Sequence, residues 1–138
     1  MTRIALDAMG GDRAPQAPLA GALLALEELD GDDVIQLVGR PEVIEPALAD
    51  LLAGEFVRLM PQAARLVLVP AAEVVEMTDK PAAAVRGKAN SSMAVGLRLQ
   101  GTGDSDAFVS AGNTGAQMAA STVFFRLHAG LTRPAIAT

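Results

Sequence analysis

The hydrophobic pattern of the chain alternates between short apolar runs and longer segments with helical spacing. The short runs are aliphatic and end at glycine, proline or polar residues, as buried parallel strands do. They predict strands at 3–7, 34–38, 66–69, 107–109 and 135–137. Apolar residues at helical spacing predict helices at 19–29, 42–52, 81–85 and 114–128. A further helix is predicted between capping residues at 90–92 and the glycines at 101 and 103. The stretch 56–64 is ambiguous, with a turn or short helix favoured, and 71–80 is predicted to be a loop.

Strands that alternate with helices at this spacing predict βαβ units joined by right-handed crossovers. The predicted fold class is therefore α/β, a three-layer, Rossmann-like and mainly parallel sheet with helices on both faces. We expect one domain over residues 1–138. Ligands of such sheets bind beyond the carboxyl ends of the strands, near a topological switch point. The turns at 8–12 and 110–115 both follow predicted strands, so we expect them to line one cleft.

Composition restricts the chemistry. Hydrophobic residues make up 51% of the 138 residues and aromatic residues only 3%, so the core is expected to consist of small aliphatic side chains. The chain has no cysteine, which excludes disulfides, zinc-thiolate sites and a cysteine nucleophile in this sequence. No basic segment followed by a long apolar run occurs in residues 1–20, and we expect a soluble, cytoplasmic protein.

Charge is distributed unevenly. Residues 1–79 contain 14 acidic and 5 basic side chains, whereas residues 80–138 contain 2 acidic and 6 basic ones. The basic half favours an anionic ligand, and the acidic half argues against broad nucleic-acid binding. Ordinary surface charge is the alternative interpretation.

The sequence SAGNTGA at 110–116 is the most informative turn. Gly112 and Gly115 allow a close approach of the backbone, and Ser110, Asn113 and Thr114 add short polar side chains at a predicted helix start. Backbone N–H groups at a helix start bind anions without a metal. This turn is therefore the first candidate anion site.

A second turn, DAMGGD at 7–12, contains Gly10 and Gly11 between Asp7 and Asp12. It does not complete the dinucleotide-binding glycine pattern, which weakens any case for hydride transfer. A plain tight strand-to-helix turn is the alternative interpretation of the two glycines. The two aspartates are candidates for an acid, a base or a loop-fixing acceptor, and fixing the loop is the preferred role for Asp7.

A third group is cationic. Arg86 and Lys88 precede Ser91 and Ser92 at a predicted helix start, and together these groups suit a phosphate. The alternative is that both cations only interact with the dipole at the end of the preceding helix. His128, the only histidine, is expected to be a surface or capping residue.

With these motifs in place, the chain resembles the bacterial phosphate acyltransferases of phospholipid synthesis. The resemblance covers the whole chain and rests on five ordered patches. These are DAMGGD at 7–12, the residues Glu73, Met77, Asp79 and Pro81, RGKANSSM at 86–93, SAGNTGA at 110–116 and GLTRPA at 130–135.

The resemblance implies transfer of a fatty acyl group from acyl carrier protein to inorganic phosphate, without a metal or another cofactor. It implies a fold like that of isocitrate and isopropylmalate dehydrogenases, a homodimer, and a cytoplasmic enzyme for which peripheral contact with the inner face of the membrane is open. Asn113, Thr114 and Asp7 are then the expected catalytic residues. The expected phosphate or substrate contacts are Gly10, Gly11, Asp12, Arg86, Lys88, Ser91, Ser92, Ser110, Gly112 and Gly115.

Two features depart from the family pattern. Family chains continue well beyond an Arg-Pro-Ala segment, so we expect this chain to correspond to the amino-terminal portion of the enzyme. Gly87 also stands where the family often has a larger residue. Two alternatives stay open, namely a phosphotransacetylase-like enzyme that uses coenzyme A and a non-catalytic module that binds phosphate or carrier protein.

Overall fold

Four parallel strands form the sheet of the protein in a computed structural model, which describes residues 1–136. The strands are β1 (Arg3–Asp7), β2 (Val34–Gly39), β3 (Leu66–Pro70) and β4 (Ala107–Val109). The α-helices are α1 (Gln16–Glu28), α2 (Pro41–Ala53), α3 (Pro81–Gly87), α4 (Ser92–Thr102) and α5 (Thr114–Phe125). A 3₁₀ helix covers Val57–Arg65. The predicted α/β class is confirmed.

The strands lie in the order β3-β2-β1-β4. Leu6 of β1 is in register with Leu37 of β2 on one side and with Val109 of β4 on the other. The chain therefore moves from β1 outward to β3 and then returns to the opposite side of β1. This reversal places the topological switch point between β1 and β4, where the two predicted turns leave the sheet.

Helices cover both faces of the sheet because successive strand residues point to opposite sides. Leu6 and Leu37 pack toward a core formed with α1, α2 and the 3₁₀ helix. Ala5 and Val38 pack on the other face, together with Val95 of α4. The change of face accompanies the change of direction across the sheet, as crossovers of one hand require.

A smaller core joins α3, α4 and α5. Met93 and Leu97 of α4 are buried there against Ala116 and Ala120 of α5. The two alanines let α5 pack closely on α4, and this packing fixes the start of α5 beside the end of β4.

One helix boundary and one strand near the carboxyl-terminal end were predicted wrongly. The last helix ends at Phe125 and not at 128, because Arg126 adopts a positive φ of 63° that leaves the helical region. No glycine marks this position, so the apolar pattern gave no stop signal. The strand predicted at 135–137 is absent at Ala135 and Ile136, which pair with no strand in the part of the chain described, and residue 137 lies outside that part.

Other differences are small. The ambiguous stretch near 56–64 is the 3₁₀ helix, and α3 continues through Arg86 and Gly87, two residues beyond the predicted end at 85. Ser91 is the N-cap of α4 and Gly103 ends it in the left-handed conformation, as the turn residues predict. Within residues 1–136, no helix has both the length and the apolar character needed to cross a bilayer.

Gly96 lets α4 lie directly on β4, because a Cβ at this position would overlap the ring of Phe108. We expect Gly96→Ala to lower the free energy of unfolding by about 1–2 kcal/mol, since overpacking outweighs the gain in helix propensity. Chemical denaturation followed by circular dichroism measures this change.

Gly101→Ala is the matched control in the same helix. Its Cβ would make an ordinary contact of 3.6 Å with Phe125 Cε1. The substitution should leave the free energy of unfolding unchanged or raise it by up to about 1 kcal/mol. Equal destabilisation by both variants would contradict the packing argument.

Candidate active site at the switch point

The turns that follow β1 and β4 contact each other through Asp7. Its Oδ2 accepts a hydrogen bond of 2.8 Å from Ser110 Oγ, and its Oδ1 accepts one of 3.1 Å from the Met9 N–H. Ser110 Oγ in turn accepts a hydrogen bond of 3.0 Å from the Gly112 N–H. Asp7 is only 3% exposed, so its carboxylate fixes both turns, the role preferred for it from the sequence.

Glycine allows this contact. A Cβ on Gly10 would lie 2.7 Å from Asp7 Oδ2 and 2.9 Å from the Gly112 nitrogen. Gly11 has a φ of 99°, a conformation that other residues rarely adopt. Both glycines are therefore needed for the turn, whatever else they contact.

A cavity of about 400 Å³ opens beside the two turns. Asp12 and Arg13 are exposed at its border, and Ser110 and Ala111 line it from the other turn. Arg13 was not among the predicted site residues. Its only sequence signal is its place next to the DAMGGD turn.

Asn113 joins the start of α5 to the loop at 71–80. Its Oδ1 caps the helix by accepting a hydrogen bond of 3.0 Å from the Ala116 N–H. Its amide group donates to the backbone carbonyl oxygens of Glu76, Met77 and Asp79, at 3.2, 3.3 and 3.0 Å. Asn113 is buried, and its direct contact with a substrate stays a prediction.

The next residues of α5 are more open. Thr114 is exposed, and the N–H groups of Thr114 and Gly115 find no acceptor within residues 1–136. They belong to the first turn of the helix, where N–H groups lack intrahelical partners and carry partial positive charge. This is the arrangement that receives an anion.

Lys88 is committed to the same loop. Its ammonium forms an ion pair with Asp79 Oδ2 and donates a hydrogen bond of 2.8 Å to the Val74 carbonyl oxygen. The Lys88 hydrogen bond, with a further one from the Glu76 N–H, lowers the pKa of Asp79 below its ordinary value. Lys88 therefore anchors the loop, a pairing across nine residues that the sequence did not indicate.

The rest of the cationic group lies apart from the two turns. Ser91 and Ser92 are each 1% exposed, and Ser91 Oγ caps α4 by accepting a hydrogen bond of 3.3 Å from the Ala94 N–H. Arg86 is exposed on α3 and has no ion pair in the described part of the chain. The Lys88–Asp79 pair connects this group with the 71–80 loop, which the Asn113 amide also contacts. His128 is exposed and lies beyond α5, as expected for a surface residue.

A profile described as "Fatty acid synthesis protein" matches residues 2–138. The chain belongs to this family. A phosphate acyltransferase of Heliobacterium modesticaldum is 49% identical over 136 residues, which are 99% of this chain and 38% of that protein.

Two further relatives have the same name. The phosphate acyltransferase of Desulfitobacterium hafniense strain Y51 is 48% identical over 100% of this chain and 38% of its own length. That of Akkermansia muciniphila is 46% identical over 99% of this chain and 37% of its own. The family resemblance is thus confirmed, and the chain spans less than two fifths of the length of these relatives.

Gly10→Ala tests the contact between the turns. The added methyl group meets a buried carboxylate and a backbone nitrogen, neither of which moves easily. We expect the free energy of unfolding to fall by about 1–3 kcal/mol, as for other overpacked sites. Urea denaturation measures it. Gly87→Ala, where no atom lies within 4 Å of the new Cβ at the end of α3, should leave it unchanged or raise it by up to about 1 kcal/mol. A neutral Gly10→Ala would contradict the proposed close contact.

Proposed function

We propose that the residues described here hold inorganic phosphate and an acyl thioester while a fatty acyl group passes from acyl carrier protein to phosphate, giving acyl phosphate. The observation that carries the proposal is the joining of the two glycine turns by Asp7 and Ser110 beside the start of α5. Family membership and the name of the relatives support acyl transfer to phosphate.

The reaction requires no nucleophile from the protein. An oxygen of hydrogen phosphate attacks the thioester carbonyl carbon, a C–O bond forms, the C–S bond breaks, and the leaving thiolate gains the proton that the phosphate loses. The chain has no cysteine, which agrees with direct attack. The protein must hold the phosphate close to the thioester and stabilise the developing oxyanion.

Thr114 and the first N–H groups of α5 suit this task, because they are open and lack acceptors within residues 1–136. Asn113 holds them in place through its cap and its three carbonyl contacts. Asp7 and Ser110 align the facing turn, and Asp12 lies at the border of the cavity there.

The remaining predicted contacts have a supporting role in the proposal. Gly10, Gly11, Gly112 and Gly115 let the two turns and Pro81 pack closely, which holds the backbone beside the proposed phosphate position. Arg86 adds positive charge from α3. Lys88, Ser91 and Ser92 support the loop and the start of α4.

The carrier protein is expected to be acidic, and we place its contact on the basic half at 80–138. A homodimer, a cytoplasmic location with peripheral membrane contact, and the dehydrogenase-like fold of the whole enzyme stay predictions.

The activity is tested with the full-length protein, acyl carrier protein charged with a fatty acyl group, and inorganic phosphate. Hydroxylamine converts acyl phosphate to a hydroxamate, which mass spectrometry quantifies. We expect hydroxamate that depends on both enzyme and phosphate, above a control without phosphate that corrects for direct reaction of the thioester.

Parallel reactions with acyl-coenzyme A separate the alternatives. A preference for coenzyme A would identify a phosphotransacetylase-like enzyme. Phosphate binding without any phosphate-dependent hydroxamate would identify a non-catalytic module and overturn the proposal.

Thr114→Val tests the start of α5 in the same assay. We expect kcat/KM to fall about tenfold or more, since one hydrogen-bond donor to a charged oxygen is lost. Thr102→Val is the matched control, because Thr102 is exposed at the carboxyl end of α4 and its Oγ1 hydrogen-bonds only to Arg98, Leu99 and Asp104 of that helix end. It should stay within about twofold of the wild type, by the small cost typical of such surface substitutions. Equal losses in both variants would contradict the role of Thr114.

A further inference from the structure

Lys80 lies between two residues that both contact the SAGNTGA turn at 110–116. The Asp79 carbonyl oxygen, directly before it, accepts the 3.0 Å hydrogen bond from Asn113. Pro81, directly after it, packs against Gly115, where a Cβ would lie 2.9 Å from Pro81 Cγ. The backbone of Lys80 is thus fixed beside the start of α5.

The position is within reach of an anion bound there. From the 3.0 Å hydrogen bond and ordinary peptide dimensions, the Cα of Lys80 lies within about 6 Å of the Asn113 amide nitrogen. An extended lysine side chain carries its ammonium roughly 6 Å from its Cα. The side chain is therefore long enough for its ammonium to contact an anion held by the open N–H groups of Thr114 and Gly115.

The conformation of Lys80 is also restricted. It is the N-cap of α3 with φ −71° and ψ 125°, the extended geometry that a following proline enforces. The backbone cannot turn the side chain away without breaking the Pro81 and Asn113 contacts. Only the flexible stem remains to be ordered by a ligand.

The two lysines of the chain differ in what they contact. Lys88 is bound by the Asp79 carboxylate and the Val74 carbonyl oxygen, so its charge is already compensated. Lys80 is exposed and forms neither a side-chain hydrogen bond nor an ion pair with any of residues 1–136. A free ammonium is the better ligand for a doubly charged phosphate.

We propose that Lys80 is the lysine that binds the phosphate, and that Lys88 positions it by holding the 71–80 loop. This inference rests on the proposed function. It assigns to the site a residue absent from the sequence-based prediction, which had selected Lys88.

The test uses the full-length enzyme in the hydroxamate assay, with the phosphate KM and the acyl-donor KM measured separately. Lys80→Met should raise the phosphate KM about 10- to 100-fold, the loss typical of a hydrogen bond to a charged group. The acyl-donor KM should change less than about twofold, because the lost ammonium is proposed to contact the phosphate only, whereas a smaller folded fraction would lower kcat and leave both KM values unchanged. Lys80→Arg, which keeps the charge, should recover most of the phosphate affinity.

Arg58→Met is the matched control for removing one positive charge. Arg58 pairs with Glu27 on the far face of the sheet, with an N–O distance of 3.0 Å. It should leave the phosphate KM unchanged. Thermal melting of each variant identifies any that is misfolded, and Lys80→Gln replaces Lys80→Met if Lys80→Met is one of these.

The outcomes separate the two proposals. A wild type that forms no acyl phosphate would refute the proposed function. If the wild type is active and the phosphate KM is unchanged in folded Lys80→Met or Lys80→Gln, the role of Lys80 is refuted and the proposed function is not. Equal rises of the phosphate KM in Lys80→Met and Arg58→Met would also refute it, because the loss of any positive charge would then have the same effect.

Discussion

The hydrogen bond between Asp7 and Ser110 is the contact on which the rest of the site depends. It joins turns that are 103 residues apart in the chain. A buried carboxylate is costly unless its oxygens have donors, and here Met9 and Ser110 supply them. The same interaction therefore satisfies Asp7 and brings the turn after β4 to the turn after β1. Because the sheet is parallel, both turns lie at one edge, where α5 also begins.

Small residues allow turns, helices and strands to pack closely throughout the domain. Gly10 and Gly112 bring the two turns together, and Gly96 brings α4 onto β4. The low aromatic content has the same consequence, since aliphatic side chains such as Ala116 and Ala120 let α5 pack closely on its neighbours. The start of α5 is thus held on two sides, by helix packing and by the Asn113 contacts with the loop at 71–80. A rigid helix start is what an anion site needs if its N–H groups are to be ready for the ligand.

The sequence predicted the elements of the site better than their partners. Ser91 was predicted to be a helix cap and Asn113 to lie at a helix start, because capping depends on residues three positions apart. The ion pair of Lys88 with Asp79 was missed because it depends on the path of an irregular loop. The early end of α5 was missed for a related reason, since Arg126 leaves the helix without glycine or proline as a signal.

Local pattern by itself determined the α/β class, the four strands of the sheet and the two glycine turns, because apolar periodicity and turn chemistry act over a few residues. The ordered motifs also determined the family. Only the tertiary structure decided that β4 lies beside β1 and not beside β3, and hence that the two turns meet. It likewise decided which lysine is bound by the loop and which is free. Strand order and side-chain pairing follow from contacts between distant segments, and no local preference encodes them.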